Sequence, residues 1–163
     1  ECYKRLIKMD NHTEAMNNAG NILFGKGEFD RAVGLFKKAL DIKPNYVDAL
    51  YNLGAVYLEE KKYEKALGYF ERVLSQKSDE PGALNSIGII AHATGDIRKA
   101  AEYLEKAVRL VPDNAEIHFN LGIVLIKKGD LKSAIFHLKK ALKLDPGNNI
   151  ASEILNSINR RPS

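Results

Sequence analysis

Four glycines, Gly20, Gly54, Gly88 and Gly122, stand thirty-four residues apart, and no other feature restricts the fold of this chain as strongly. A glycine within a helix costs about 1 kcal/mol relative to alanine. Four in one register therefore point to a packing requirement that recurs. Other columns keep the same period. Ala32, Ala66, Ala100 and Ala134 are small throughout, whereas Phe36, Phe70, Leu104 and Leu138 are large throughout. Ala39, Val73, Ala107 and Ala141 form an apolar column, and Pro44, Pro112 and Pro146 recur with Ser78 in the same register. A fixed period over most of a chain defines a repeat array, in which each unit buries its apolar face against the next.

The period sets repeats at 13–46, 47–80, 81–114 and 115–148. Residues 1–12 match the end of a preceding repeat, since Leu6, Asn11 and Ala15 lie one period before Leu40, Asn45 and Ala49. The chain is thus expected to begin within a longer array, with a partial N-terminal helix. Residues 149–163 carry Ile150, Ala151, Ile154, Leu155 and Ile158 on one helical stripe, the pattern of a helix that caps the last apolar face. Within a repeat the helical spacing of apolar residues is interrupted once. Leu50, Leu53, Gly54 and Tyr57 precede the break, and Ala66, Leu67, Phe70, Val73 and Leu74 follow it. Gly27, Gly95 and Gly129 at the breaks suit a helix stop with positive φ, and Asp96 and Asp130 suit the following N-cap. Prolines after the second helix end it, and the Asn or Asp beside them opens the next repeat. The glycine column is expected to let the second helix approach closely, with Ala100 the small residue that meets Gly88.

Composition narrows the function. The 163 residues are 45% hydrophobic and 28% charged, and no apolar run approaches the length of a membrane span, so neither disorder nor membrane insertion is expected. A net charge of +4 arises from 25 basic and 21 acidic residues spread along the chain, which gives no nucleic-acid footprint. The single cysteine, Cys2, excludes an internal disulfide framework and suits a reducing compartment such as the cytoplasm. His12, His92, His118 and His137 fall in different columns, and no two share the spacing that sets two metal ligands on one helical face. The segment Gly25 to Asp30 lacks the Lys-Ser/Thr ending of a phosphate loop and follows a helix, so it reads as a turn. Carboxylates are scattered, with no candidate acid–base pair. No cofactor, no metal and no catalytic activity are expected. Lysines crowd the second helices, as at Lys37, Lys38, Lys139, Lys140 and Lys143, but Glu71, Glu102 and Glu105 interleave with them, as on a solvated surface.

Across residues 13–148, Leu53, Gly54, Tyr57, Ala66, Phe70, Ala107 and Pro112 make the chain resemble the tetratricopeptide repeat family. His118, Ala91 and Ser78 depart from its usual pattern. The resemblance implies an all-α solenoid of antiparallel helix pairs in a right-handed superhelix, with the first helices lining a concave groove. It further implies a non-catalytic scaffold for protein–protein interaction. The alternative is the substrate-recognition arm of a larger enzyme, because protein O-linked N-acetylglucosamine transferases carry a similar asparagine ladder. Self-association by end-to-end stacking is a third use.

The residues two before each glycine are Asn18, Asn52, Ser86 and Asn120. At about 100° per residue they lie some 160° round the helix from it, away from the packed stripe. Asparagine offers donors and an acceptor together, the pair that grips a peptide backbone. One residue earlier stand Asn17, Tyr51, Asn85 and Phe119, and three after the ladder stand Asn21, Ala55, Ile89 and Ile123. The expected groove therefore comprises Asn17, Asn18, Asn21, Tyr51, Asn52, Asn85, Ser86, Phe119, Asn120, Ile123 and Lys127, and grows more apolar toward its C-terminal half. Glu14, Asp48 and Glu116 near the first-helix starts favour a neutral to basic peptide. The family's lysine, arginine and asparagine clamp for a C-terminal carboxylate is not matched, because Asn17, Gly82 and Ser86 stand where its basic residues belong.

Overall fold

A computed structural model describes residues 2–160, with side chains assigned from residue 12 onward except at residue 159. Among the described residues there are nine α-helices and no strand. The chain divides into two compact units, Glu1–Ser78 and Asp79–Ser163. The first contains α1 (Cys2–Gly25), α2 (Phe29–Ile42), α3 (Val47–Glu59) and α4 (Tyr63–Gln76). The second contains α5 (Pro81–Ala93), α6 (Ile97–Leu110), α7 (Ala115–Lys128), α8 (Leu131–Leu144) and α9 (Asn149–Asn159). Successive helices pair as α1 with α2, α3 with α4, α5 with α6 and α7 with α8.

The partial helix expected before residue 13 is not a separate element. α1 runs without a break from Cys2 to Gly25. Residues 9–12 carry neither the proline nor the glycine that punctuates the other repeats, so nothing there interrupts the helical hydrogen bonds. The side chains of Leu6 and Asn11, which match Leu40 and Asn45 one period later, lie outside the described residues.

The pairs are closed by one recurring turn. The amide of Glu28 donates to the Leu23 carbonyl at 2.9 Å, and the same bond recurs as Lys62 to Tyr57 at 2.8 Å, Asp96 to Ala91 at 2.8 Å and Asp130 to Leu125 at 3.0 Å. This six-to-one bond requires a left-handed residue just before its donor. Gly27, Gly95 and Gly129 supply it with φ of 76°, 89° and 88°. In the second repeat the position belongs to Lys61, at φ 56°. A non-glycine residue there costs roughly 1 kcal/mol or more. Lys61→Gly is therefore expected to stabilise the protein by about 0.5–1 kcal/mol after the extra freedom of the unfolded chain is allowed for. A urea titration checks this, and a lower unfolding midpoint contradicts it.

The second helix then starts on its own cap. Asp96 accepts from the Lys99 amide at 2.9 Å and Asp130 from the Ser133 amide at 3.1 Å. Glu28 and Lys62, in the same column, make no such bond. Asn114 and Asn148 cap α7 and α9 by accepting from Ile117 and Ala151, each at 3.0 Å. At the starts of α3 and α5 the cap positions are Tyr46 and Glu80, so Asn45 and Asp79 do not play the capping part expected of them.

The glycine column meets the large column most closely, and the alanine column reaches it only as the Ala134 carbonyl oxygen, 3.5 Å from a Cβ on Gly122. A Cβ built on Gly20 or Gly54 would lie 2.5 Å from the Phe36 ring or 2.8 Å from the Phe70 ring. On Gly88 or Gly122 it would lie 2.6 or 2.8 Å from Cγ of Leu104 or Leu138. The glycine thus makes room for a large side chain from the partner helix, which reverses the expected pairing of Gly88 with Ala100. Phe36, Phe70, Leu104 and Leu138 are all fully buried as a result. At the end of the second unit, Ala151 and Leu155 of α9 cover Leu138, with Phe119, Ile135, Ile154 and Ile158 packed around them.

Candidate functional site

On the first helices the expected asparagines divide into an inner and an outer set. Asn17 and Asn85 are buried, at 5% and 8% exposure, while Asn52 and Asn120 are half-buried and Asn18 and Asn21 exposed. In the first unit Asn52 Nδ2 donates to Asn17 Oδ1 at 2.9 Å. In the second, Asn120 Nδ2 donates to Asn85 Oδ1 at 3.0 Å. Asn85 Nδ2 in turn donates to Glu116 Oε1 at 3.2 Å. Because a carboxylate only accepts, Glu116 fixes which way the Asn85 amide points and hence which end of Asn120 it engages. Each outer asparagine keeps one N–H and its carbonyl oxygen for another partner. The link runs from one column to the next column one repeat later, a separation of 35 residues. Treating the ladder as independent side chains hid this link, which the period plus one would have shown.

Ser86 does not line the surface as expected. It is 6% exposed. Lys127 is exposed at the end of α7. Tyr51 is half-buried, with its ring edge-on to Phe70 at 5.5 Å between centroids.

A pocket of about 300 Å³ opens between α5 and α7. Phe119, Asn120 and Ile123 line it, together with Ile89, His92, Leu104 and Val124. Its wall is apolar apart from Asn120 and His92. His92 follows Asn85 by seven residues and Ile89 by three, so helical spacing places it on the same face, although its column alone gave no hint.

A second pair of functional-looking groups proves structural. His118 and His137 meet with their Nδ1 atoms 2.8 Å apart, and His118 Nε2 lies 2.9 Å from the Pro112 carbonyl oxygen. That oxygen can only accept, so His118 carries its proton on Nε2 and accepts at Nδ1 from the Nδ1–H of His137. The two residues are nineteen apart, on α7 and α8, a separation that ligand spacing within one helix does not cover. Burial lowers the His137 pKa, as does its electrostatic interaction with His118, while Asp130 opposes them. The folded state therefore resists a proton that the unfolded chain takes up near pH 6.5. Its contribution is fully present above that pH and is lost as pH falls from there through the lower pKa of the folded state. Melting temperature is expected to drop more between pH 7.5 and 5.5 in wild type than in His137→Tyr, the residue found at Tyr69 and Tyr103. Equal drops would contradict the assignment.

Among the described residues no three His, Cys, Asp or Glu side chains are grouped to hold a metal, and no helix is long and apolar enough to cross a membrane.

Comparison with known proteins places this architecture. Residues 20–60 match a family described as TPR repeat, and residues 45–113 and 86–149 match families described as tetratricopeptide repeat. The structure of MamA 41-end from Desulfovibrio magneticus RS-1 is 32% identical, with a TM-score of 0.73 over 85% of this chain and 78% of that one. YrrB, described as a TPR protein with an unusual peptide-binding site, is 26% identical, with a TM-score of 0.73 over 93% of this chain and 78% of that one. PilF of Pseudomonas aeruginosa, at 23% identity, shares the fold with a TM-score of 0.83 over 91% of this chain and 68% of that one. No curated protein matches the sequence. The chain belongs to the tetratricopeptide repeat family, an all-α solenoid fold of the protein–protein interaction class.

Proposed function

We propose that the chain is a non-catalytic scaffold that holds an extended peptide segment on its first-helix faces. The observation that carries this reading is the pocket between α5 and α7. There an apolar wall of Ile89, Phe119 and Ile123 adjoins an asparagine whose orientation is already fixed through Asn85 and Glu116. A side chain prevented from wandering loses little entropy on binding, so its remaining donor and acceptor are set to meet a peptide N–H and C=O. The pocket receives one apolar side chain of the segment, and aromatic and aliphatic contacts there supply most of the affinity. In the first unit Asn52, held by Asn17, and the half-buried Tyr51 repeat the arrangement. Exposed Glu14 and Glu116 make a neutral to basic segment the better ligand. YrrB is a peptide-binding relative of the same fold, which supports the class of ligand without specifying its sequence.

The test is a peptide selected from a random library on the wild-type protein, measured against Asn52→Ala/Asn120→Ala/Phe119→Ala. Loss of the outer asparagines leaves Asn17 and Asn85 with an unsatisfied oxygen, at about 1–3 kcal/mol each, so the variant's fold is checked first by circular dichroism. Affinity is expected to fall at least tenfold, about 1.4 kcal/mol or more. Undiminished binding by a folded variant would remove the site from these helices.

A further inference from the structure

We propose that the α4 face around Gly68 binds a carboxylate side chain of an acidic peptide segment from a partner protein. The argument is an internal comparison between the two units. In α6 the residues Lys99, Glu102, Tyr103 and Lys106 form a closed set. Both lysines lie over the Tyr103 ring, at 5.9 and 5.1 Å, and Lys106 donates to Glu102 at 2.7 Å. One period earlier the same positions hold Lys65, Gly68, Tyr69 and Arg72. The cations and the ring are present in both, whereas Gly68, like Gly34 in the same column, stands without the carboxylate that Glu102 supplies.

A second acid is missing from the same column. One period after Lys106, Lys140 pairs with Asp113 at 2.8 Å, and the residue in place of Asp113 beside Arg72 is Asn45. Arg72 therefore has no carboxylate partner among the described residues, and donates to the Pro44 carbonyl at 3.0 Å. Its guanidinium lies 5.7 Å from the Tyr69 ring centroid, Tyr69 stacks on Tyr57 at 5.6 Å, and Lys65 lies 5.6 Å from Tyr57. The aromatic stack thus holds Arg72 and Lys65 in place before any ligand arrives.

Space accompanies the charge. An open cleft of about 430 Å³ lies over Gly68, with Lys37 of α2 on its wall and Glu64 the one acid that lines it. Three cations face one carboxylate. A Cβ on Gly68 would meet nothing within 4 Å, unlike one on Gly54, so no packing demand accounts for a glycine that weakens the middle of α4 by about 1 kcal/mol. The vacancy is where the Glu102 side chain stands in the other unit, and a carboxylate supplied by a partner completes the set. Binding here weakens with salt because the cations are exposed.

The probe is an acetylated, amidated hexaglutamate peptide titrated into the isotope-labelled chain at low salt, with backbone amide shifts as the readout. The expected result is saturable movement of Gly68, Tyr69 and Arg72. Gly68→Glu supplies the carboxylate four residues before Arg72, as Glu102 does for Lys106, and is expected to weaken binding about tenfold or more. Gly68→Gln fills the same volume without charge and is expected to stay within about threefold of wild type. Both replacements are better helix formers than glycine, so neither endangers the fold. No movement on α4, equal binding by Gly68→Glu, or tighter binding of hexathymidylate at the same residues would overturn the proposal. Movement confined to Ile89, Phe119 and Asn120 would do so as well, while leaving the first-helix site intact.

Discussion

Gly88→Ala is expected to lower stability by about 1–3 kcal/mol, although alanine is the best helix former and glycine among the worst. The new Cβ would stand 2.6 Å from Cγ of Leu104 and 3.0 Å from its Cδ2. Cγ can move only by rotation about Cα–Cβ, and because Leu104 is fully enclosed the other helical rotamer has no free space to enter. α5 and α6 must separate, which also loosens Ile87 and Ala107 around them. Leucine at this position costs several kcal/mol by the same route. Gly68→Ala, with open space at its Cβ, is expected to move the other way by up to about 1 kcal/mol. Replacing Leu104 by alanine in the Gly88→Ala background removes the clash, so the two substitutions should be strongly non-additive. Chemical unfolding of the four variants decides it, and additive effects would refute the pairing of these columns.

Deletion of 149–163 is expected to have a comparable or larger effect in the second unit. Leu155 is 7% exposed and Ala151 fully buried, both against Leu138, and Ile154 and Ile158 add half-buried contacts. Together these aliphatic side chains contribute on the order of 3–6 kcal/mol. Their removal leaves Leu138 and Ile135 facing water as one apolar patch, so the truncated protein should both melt lower and aggregate. The opposite flank of α9 carries Ser152, Glu153, Asn156 and Ser157, which suits a helix covering a core on one side only. An unchanged melting temperature together with a monomeric truncation would contradict this role for α9.

The pairs of helices, their turns and their buried columns were legible in the sequence because a period repeats each constraint four times. Gly27, Gly95 and Gly129 at positive φ follow directly from that reading, as do the caps at Asp96 and Asp130. What a column cannot show is which other column it touches. Gly88 was matched to Ala100 on the argument that small residues meet, whereas the space is taken by Leu104, sixteen residues on. His118 and His137 were separated for the same reason, since their contact crosses from one helix to its partner. Asn17 and Asn85 were placed on the ligand side with Asn52 and Asn120, yet they are buried hydrogen-bond acceptors behind them. One residue along a helix is about 100° of rotation, enough to move an amide from the surface to the layer beneath it.

The direct measurement of the central claim is the side-chain amide and methyl spectrum of the protein during titration with the selected peptide. The account predicts that the Asn120 side-chain amide and the Ile89 and Ile123 methyls move together, saturating at one shared Kd. Saturable shifts confined to α2, α4, α6 and α8, with Asn120 and Ile123 unmoved, would contradict it.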